Sequence, residues 1–209
     1  MMNIQVAYWG SGPISHFHLP AIRANNIEVS RCFSRLSSKR LVEFSEKFEL
    51  TISESESEFL RDAKQQDGMI VALETKVMAD KLYLLEKINN IFIEKPGAAQ
   101  SKLLESLPEN IKQNTRVLYN RRFYSTSKKL KDFVKNSENG VDFNVIFPDT
   151  RDWYQTIVNV CHLFDLMMYV NDDFKPEIVS TFGSLQTESR GYGFIAKFKN
   201  GNMLTFHNP

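Results

Sequence analysis

The sequence has little of what would tie it to a membrane, a nucleic acid or an oxidising compartment. Only two cysteines occur in 209 residues. Cys32 and Cys161 both sit in apolar surroundings without metal-ligand spacing, which predicts two reduced thiols in a cytoplasmic protein and no metal site. Charge of one sign is missing too. The 26 Lys and Arg against 25 Asp and Glu leave a net charge of +1, no field with which to draw in a nucleic acid or an anionic bilayer. No apolar run reaches the roughly 18 residues of a membrane span, and no basic-then-apolar leader opens the chain. Internal repeats and low-complexity linkers are absent. What remains is an ordinary globular composition, 42% hydrophobic and 24% charged, so extended disorder is excluded and partners are to be sought at local sites.

Hydrophobic periodicity then sets the architecture. Apolar runs at 4–9, 27–34, 68–73, 91–93 and 115–119 read as strands. Helical spacing marks 14–25, 38–48, 77–87 and 102–107. The run Ser53 to Glu58, "SESESE", reads as a solvated loop in which Ser55 or Ser57 caps a short helix carrying Phe59 and Leu60. This alternation predicts an α/β fold, a parallel sheet covered on both faces. The rhythm changes after Asn120. Helices at 127–134 and 156–170 and strands at 141–147, 178–185, 192–198 and 203–206, the last two joined by the hairpin signal Asn200-Gly201, predict a smaller α+β domain with a mostly antiparallel open sheet. The expected domains are therefore 1–120 and 121–209.

Four stretches carry chemistry. The first is Gly10-Ser11-Gly12-Pro13-Ile14-Ser15, between the first strand and first helix. Gly10 would allow a tight turn and Gly12 the close approach of a pyrophosphate, while the helix N-terminus offers N–H donors; Ser15 replaces the usual third glycine. A plain glycine-rich turn is the alternative. The second is Ser34-Arg35, where a dinucleotide site usually has an acid for the adenosine ribose. The acid is absent, and Arg35, Lys39 and Arg40 suit a 2′-phosphate, which favours NADP over NAD; otherwise Arg35 is a solvated loop residue. The third is Glu94-Lys95-Pro96, which puts a lysine at the carboxyl end of a buried strand, where partial desolvation suits an amine to proton transfer near neutrality. Read alone it is also a common surface turn. In the fourth, "TIVNVCHLFDLMMYV", His162 and Asp165 share one face of an otherwise apolar helix. His162 either relays a proton with Asp165 beside it or is a satisfied core residue. Arg121 and Arg122, in "YNRRF", either bind an anionic or polyhydroxyl ligand or pair structurally across the domain junction.

In this order the pieces resemble the Gfo/Idh/MocA oxidoreductases, the family of glucose–fructose oxidoreductase and inositol dehydrogenase. The stretches "VAYWGSGPISHFHLPAI", "CFSR", "IFIEKPGA", "YNRRF" and "CHLFDLMMYVNDD" spread the resemblance over nearly the whole chain. It implies a Rossmann domain followed by a substrate domain whose sheet often builds a dimer, and hydride transfer between a nicotinamide and a sugar, sugar-nucleotide or polyol carbon. It implies coenzyme contacts from Gly10, Gly12, Pro13, Ile14, Ser34, Arg35, Ala72, Leu73, Glu94 and Lys95. Lys95 matches the family's lysine at substrate and nicotinamide ribose, His162 its acid/base histidine, and Asn120, Arg122, Asn159 and Asp165 are expected at the substrate. Three departures stand out. Val158 occupies the place of an aspartate, residues 72–77 ("ALETKV") lack the usual Pro and His, and the chain stops at Pro209 where relatives continue for several strands. These departures make a shortened, non-catalytic nucleotide-binding member, a sensor or partner subunit, the alternative expectation.

Overall fold

A computed structural model describes residues 4–98, 100–147, 153–183 and 192–208, with the side chains of 153–158 excepted. The chain divides into two compact units, Met1–Leu118 and Tyr119–Pro209.

The first unit runs β1 (Ile4–Trp9), α1 (Ser15–Ala24), β2 (Ile27–Phe33), α2 (Lys39–Phe48), β3 (Thr51–Ile52), α3 (Glu56–Ala63), β4 (Gly68–Val71), α4 (Thr75–Lys81) with a following 3₁₀ turn (Leu82–Leu85), β5 (Ile91–Glu94), α5 (Ser101–Glu105), α6 (Glu109–Asn114) and β6 (Thr115–Leu118). All strand pairs are parallel, in the order β3-β2-β1-β4-β5-β6. β1 is central and its last four residues are buried, because helices cover both faces and a strand so placed must be apolar throughout. Alternate residues feed two cores. Ala7, Trp9, Met69, Val71, Ile91 and Ile93 pack with Phe59, Met78 and Ile111 on one face. On the other, Val6, Tyr8 and Val29 pack with Leu19, Leu41 and Phe44.

The solvated-loop reading of 53–58 needs correcting. Ser53 is 1% exposed, its amide donating to the Cys32 carbonyl beyond β3, and α3 already begins at Glu56. The capping expectation holds at Ser55, whose hydroxyl accepts from the Glu58 amide at 3.1 Å. Two elements have no counterpart in the sequence reading: β3, a two-residue strand, and α6, a polar segment with one buried residue, Ile111.

The second unit runs a 3₁₀ turn (Asn120–Phe123), α7 (Ser125–Lys135), β7 (Asp142–Ile146), α8 (Trp153–Asn171), β8 (Glu177–Phe182), β9 (Tyr192–Lys197) and β10 (Met203–Asn208). Its sheet has the order β7-β10-β9-β8, parallel at β7–β10 and antiparallel elsewhere. Met167, Ala196, Phe198 and Leu204 form its core. The last two residues of the strand expected over 178–185 lie outside the described residues.

Candidate functional site

In the first unit the carboxyl ends of the strands bring most of the expected coenzyme residues together. The strand order reverses between β1 and β4, and ligands of open α/β sheets bind outside such a reversal. Gly10 leaves β1 with its amide donating to the Phe33 carbonyl at 2.8 Å, while the Ala72 amide donates to the Trp9 carbonyl at 2.7 Å. The ends of β2, β1 and β4 are thus tied at this point. Gly10 has φ +138°, and a Cβ there would lie 2.4 Å from the Ala72 carbonyl oxygen, so only glycine lets the two strand ends approach.

Gly12 is under no such constraint: a Cβ would meet nothing within 4 Å. Protein packing does not call for glycine there, whereas an external group needing the bare backbone would. The N-terminus of α1 has no side-chain cap and no acidic residue in its first turn, leaving its positive dipole end uncompensated by the chain. Pro13 and Ile14 are exposed, and Ser15 is fully buried at the position of the third glycine. Open room above the bare backbone of Gly12, at the positive dipole end of α1, fits the pyrophosphate of a dinucleotide. Beyond β2, Ser34 is half-buried and Arg35 exposed, with Lys39 and Arg40 exposed at the start of α2. Leu73, after β4, is half-buried.

Glu94 closes β5, and the Gly97 amide donates back to its carbonyl at 3.1 Å, making Glu94 to Gly97 a turn with a cis Lys95–Pro96 bond. Lys95 is half-buried in that turn. Sequence reasoning missed what holds Glu94. Its Oε1 lies 3.0 Å from Nε2 of His18 on α1, and the other ring nitrogen, Nδ1, lies 2.8 Å from the hydroxyl of Tyr8 on β1. Burial pushes the Tyr8 hydroxyl well above the usual tyrosine range, so this phenol stays protonated.

In the second unit α8 carries Asn159, His162 and Asp165. His162 is half-buried, its ring edge-on to Tyr119 with centroids 6.0 Å apart. Burial, and then the neighbouring Cys161, raises the Tyr119 hydroxyl. Asp165 is 1% exposed and is gripped by Arg122, whose Nε donates to Oδ2 at 2.7 Å and whose Nη2 donates to Oδ1. The guanidinium, which also packs over the rings of Phe174 and Tyr169, is held more firmly protonated by this carboxylate. Arg122 thus pairs within the second unit, and a buried carboxylate is stabilised by such a fork. Asn120 is exposed at the start of the 3₁₀ turn and Asn159 is half-buried. The Val158 side chain lies outside those described.

The other cysteine, Cys32, is buried in β2, and burial pushes its thiol up to about 12. Among the described residues no helix is long and apolar enough to cross a membrane.

The Rossmann-type parallel sheet followed by a mixed four-stranded sheet is a fold shared with Gfo/Idh/MocA-like dehydrogenases of known structure. A dehydrogenase (MviM) from Clostridium difficile superposes with a TM-score of 0.77 at 19% identity, over 99% of this chain and 71% of that one. The myo-inositol dehydrogenase from Lactobacillus casei, solved with NAD(H) and myo-inositol, gives 0.75 at 18% identity, over 99% and 67%. An NAD-binding protein from Listeria innocua gives 0.76 at 20%, over 99% and 67%. The chain thus spans about two thirds of the length of these structures. No family model and no curated protein matches the sequence.

Proposed function

We propose that the chain acts as an NAD(P)-dependent oxidoreductase, moving a hydride between a nicotinamide and a carbinol or carbonyl carbon of a sugar, sugar nucleotide or polyol. The observation that carries this reading is the Gly10–Gly12 turn at the reversal point, with room above Gly12 that the protein itself does not fill. A bound nicotinamide dinucleotide would supply the hydride acceptor or donor. The chain's own contribution is to seat the pyrophosphate on the turn, at the positive dipole end of α1. Arg35, backed by Lys39 and Arg40, faces the adenosine ribose in this reading, and their charge favours NADP. Lys95 and His162 are the groups assigned to the proton of the substrate hydroxyl in this reading. The fold shared with a dehydrogenase crystallised with NAD(H) and myo-inositol supports the choice of class.

Turnover assays with a panel of sugars and polyols, myo-inositol among them, test the reading in the wild type, Lys95→Ala and His162→Ala. The expected result is coenzyme-dependent oxidation in the wild type. Each variant should lose roughly 10²–10⁴-fold in rate while its coenzyme Kd stays close to that of the wild type. Full turnover in both variants would remove these two residues from the mechanism. Coenzyme binding without hydride transfer to any member of the panel would favour the non-catalytic, nucleotide-binding reading.

A further inference from the structure

The Tyr8–His18–Glu94 chain links three elements on the face of the sheet that α1 covers. Tyr8 is in β1 and fully buried, His18 is one turn into α1, and Glu94 is the last residue of β5. In the arrangement tested below, Glu94 accepts as a carboxylate, so Nε2 of His18 donates to it. Nδ1 of the neutral ring is then the acceptor for the Tyr8 hydroxyl, 2.8 Å away. His18 and Glu94 are each only 20% and 15% exposed, so the bond between them is largely shielded from competing water. The helix bearing His18 is the one whose N-terminus lies beside Gly12. The strand ending in Glu94 is the one that delivers Lys95 to the sheet's carboxyl edge. One imidazole therefore ties the dinucleotide seat to the turn that holds the lysine.

We propose that His18 is a positioning residue, which locks the Glu94–Lys95–Pro96 turn to α1 so that the lysine amine keeps a fixed place relative to the Gly10–Gly12 seat. It touches neither coenzyme nor substrate and acts through Glu94. The proposal rests on the reading of Lys95 as a proton-handling group, and two measurements keep the two ideas separable.

The first is independent of coenzyme and turnover. Nitrogen-15 NMR of the histidines in the intact chain should show His18 with its hydrogen on Nε2, and Glu94→Ala should release it to a mixture of tautomers. A hydrogen on Nδ1 in the neutral wild-type ring, or a His18 signal indifferent to Glu94→Ala, would overturn the lock. The second compares His18→Ala, His18→Asn and His18→Gln. A glutamine amide reaches the Nε2 position and can donate to Glu94; an asparagine amide stops near Nδ1 and cannot. Misplacement of a reacting group by an ångström costs up to about 10²-fold in rate. The alanine and asparagine variants should therefore lose about 10- to 100-fold in kcat with coenzyme Kd nearly unchanged, and glutamine should restore most of the loss. Equal losses in all three, or none in any, would overturn the proposal. If the wild type turns over nothing in the panel, the functional reading fails on its own, and the tautomer measurement still decides the lock.

Discussion

Gly10 and Gly12 stand two residues apart and serve different ends. At Gly10 the left-hand backbone and the Ala72 carbonyl leave no place for a Cβ; at Gly12 the space is open. Gly10→Ala should therefore cost at least about 2 kcal/mol of stability, from backbone strain plus overpacking. Gly12→Ala should change stability by less than about 1 kcal/mol and weaken coenzyme binding by about tenfold, or 1.4 kcal/mol. Urea melts and coenzyme titrations of both variants measure this. Similar destabilisation of the two, with binding intact in Gly12→Ala, would contradict the division of labour. The two glycines were visible in the sequence, but not which was structural. That depends on Ala72, sixty-odd positions away in the chain.

At the scale of elements, Asp173 shows how loop ends are fastened. Its carboxylate, 2% exposed, accepts from the Lys175 amide at 3.1 Å and the Lys199 amide at 2.9 Å, joining the segment after α8 to the β9–β10 hairpin. Those two amides, the Lys199 one first, hold the carboxyl below the usual aspartate value of 3.8. A group depressed in the folded state stabilises above its unfolded pKa, and that contribution is lost as the pH falls through the folded value. Asp173→Asn should thus be less stable than the wild type near neutrality, and the gap should close as the pH drops below 3.8. Denaturant melts at stepped pH test this; a gap that stays constant into acid would contradict it. Much of the element plan was legible because the strands of a doubly covered sheet are continuous apolar runs. β3 was not, since two residues pairing with β2 leave no period to read. Nor was α6, whose sequence "ENIKQN" buries a single side chain. Ser53 reads as polar and exposed until the neighbouring strand covers it. The side-chain ties were hidden for a different reason. His18 to Glu94 and Arg122 to Asp165 are long-range pairs, the latter 43 residues apart, and no local spacing encodes them.

For the whole molecule, the fold is shared with structures only 18–20% identical to it. Within this chain the features that carry the candidate site are the apolar strands, the glycine turn at the reversal point, a lysine turn at the end of β5 and a helix with His162 and Asp165. Most of the candidate site was legible through these because each is a local motif on a regular element. Arg122 was harder to read, since only the fold reveals that its partner is a buried carboxylate. Every functional step proposed above depends on a nicotinamide dinucleotide occupying the carboxyl edge of the first sheet. The direct measurement is calorimetric titration of the intact wild-type chain with NAD, NADH, NADP and NADPH, repeated on Gly12→Val, whose branched side chain would fill the open room. Saturable binding of at least one coenzyme, one per chain, lost in Gly12→Val and tighter for the phosphorylated pair, is expected. No binding of any of the four up to about 1 mM, weaker than about −4 kcal/mol, would contradict the dinucleotide site itself.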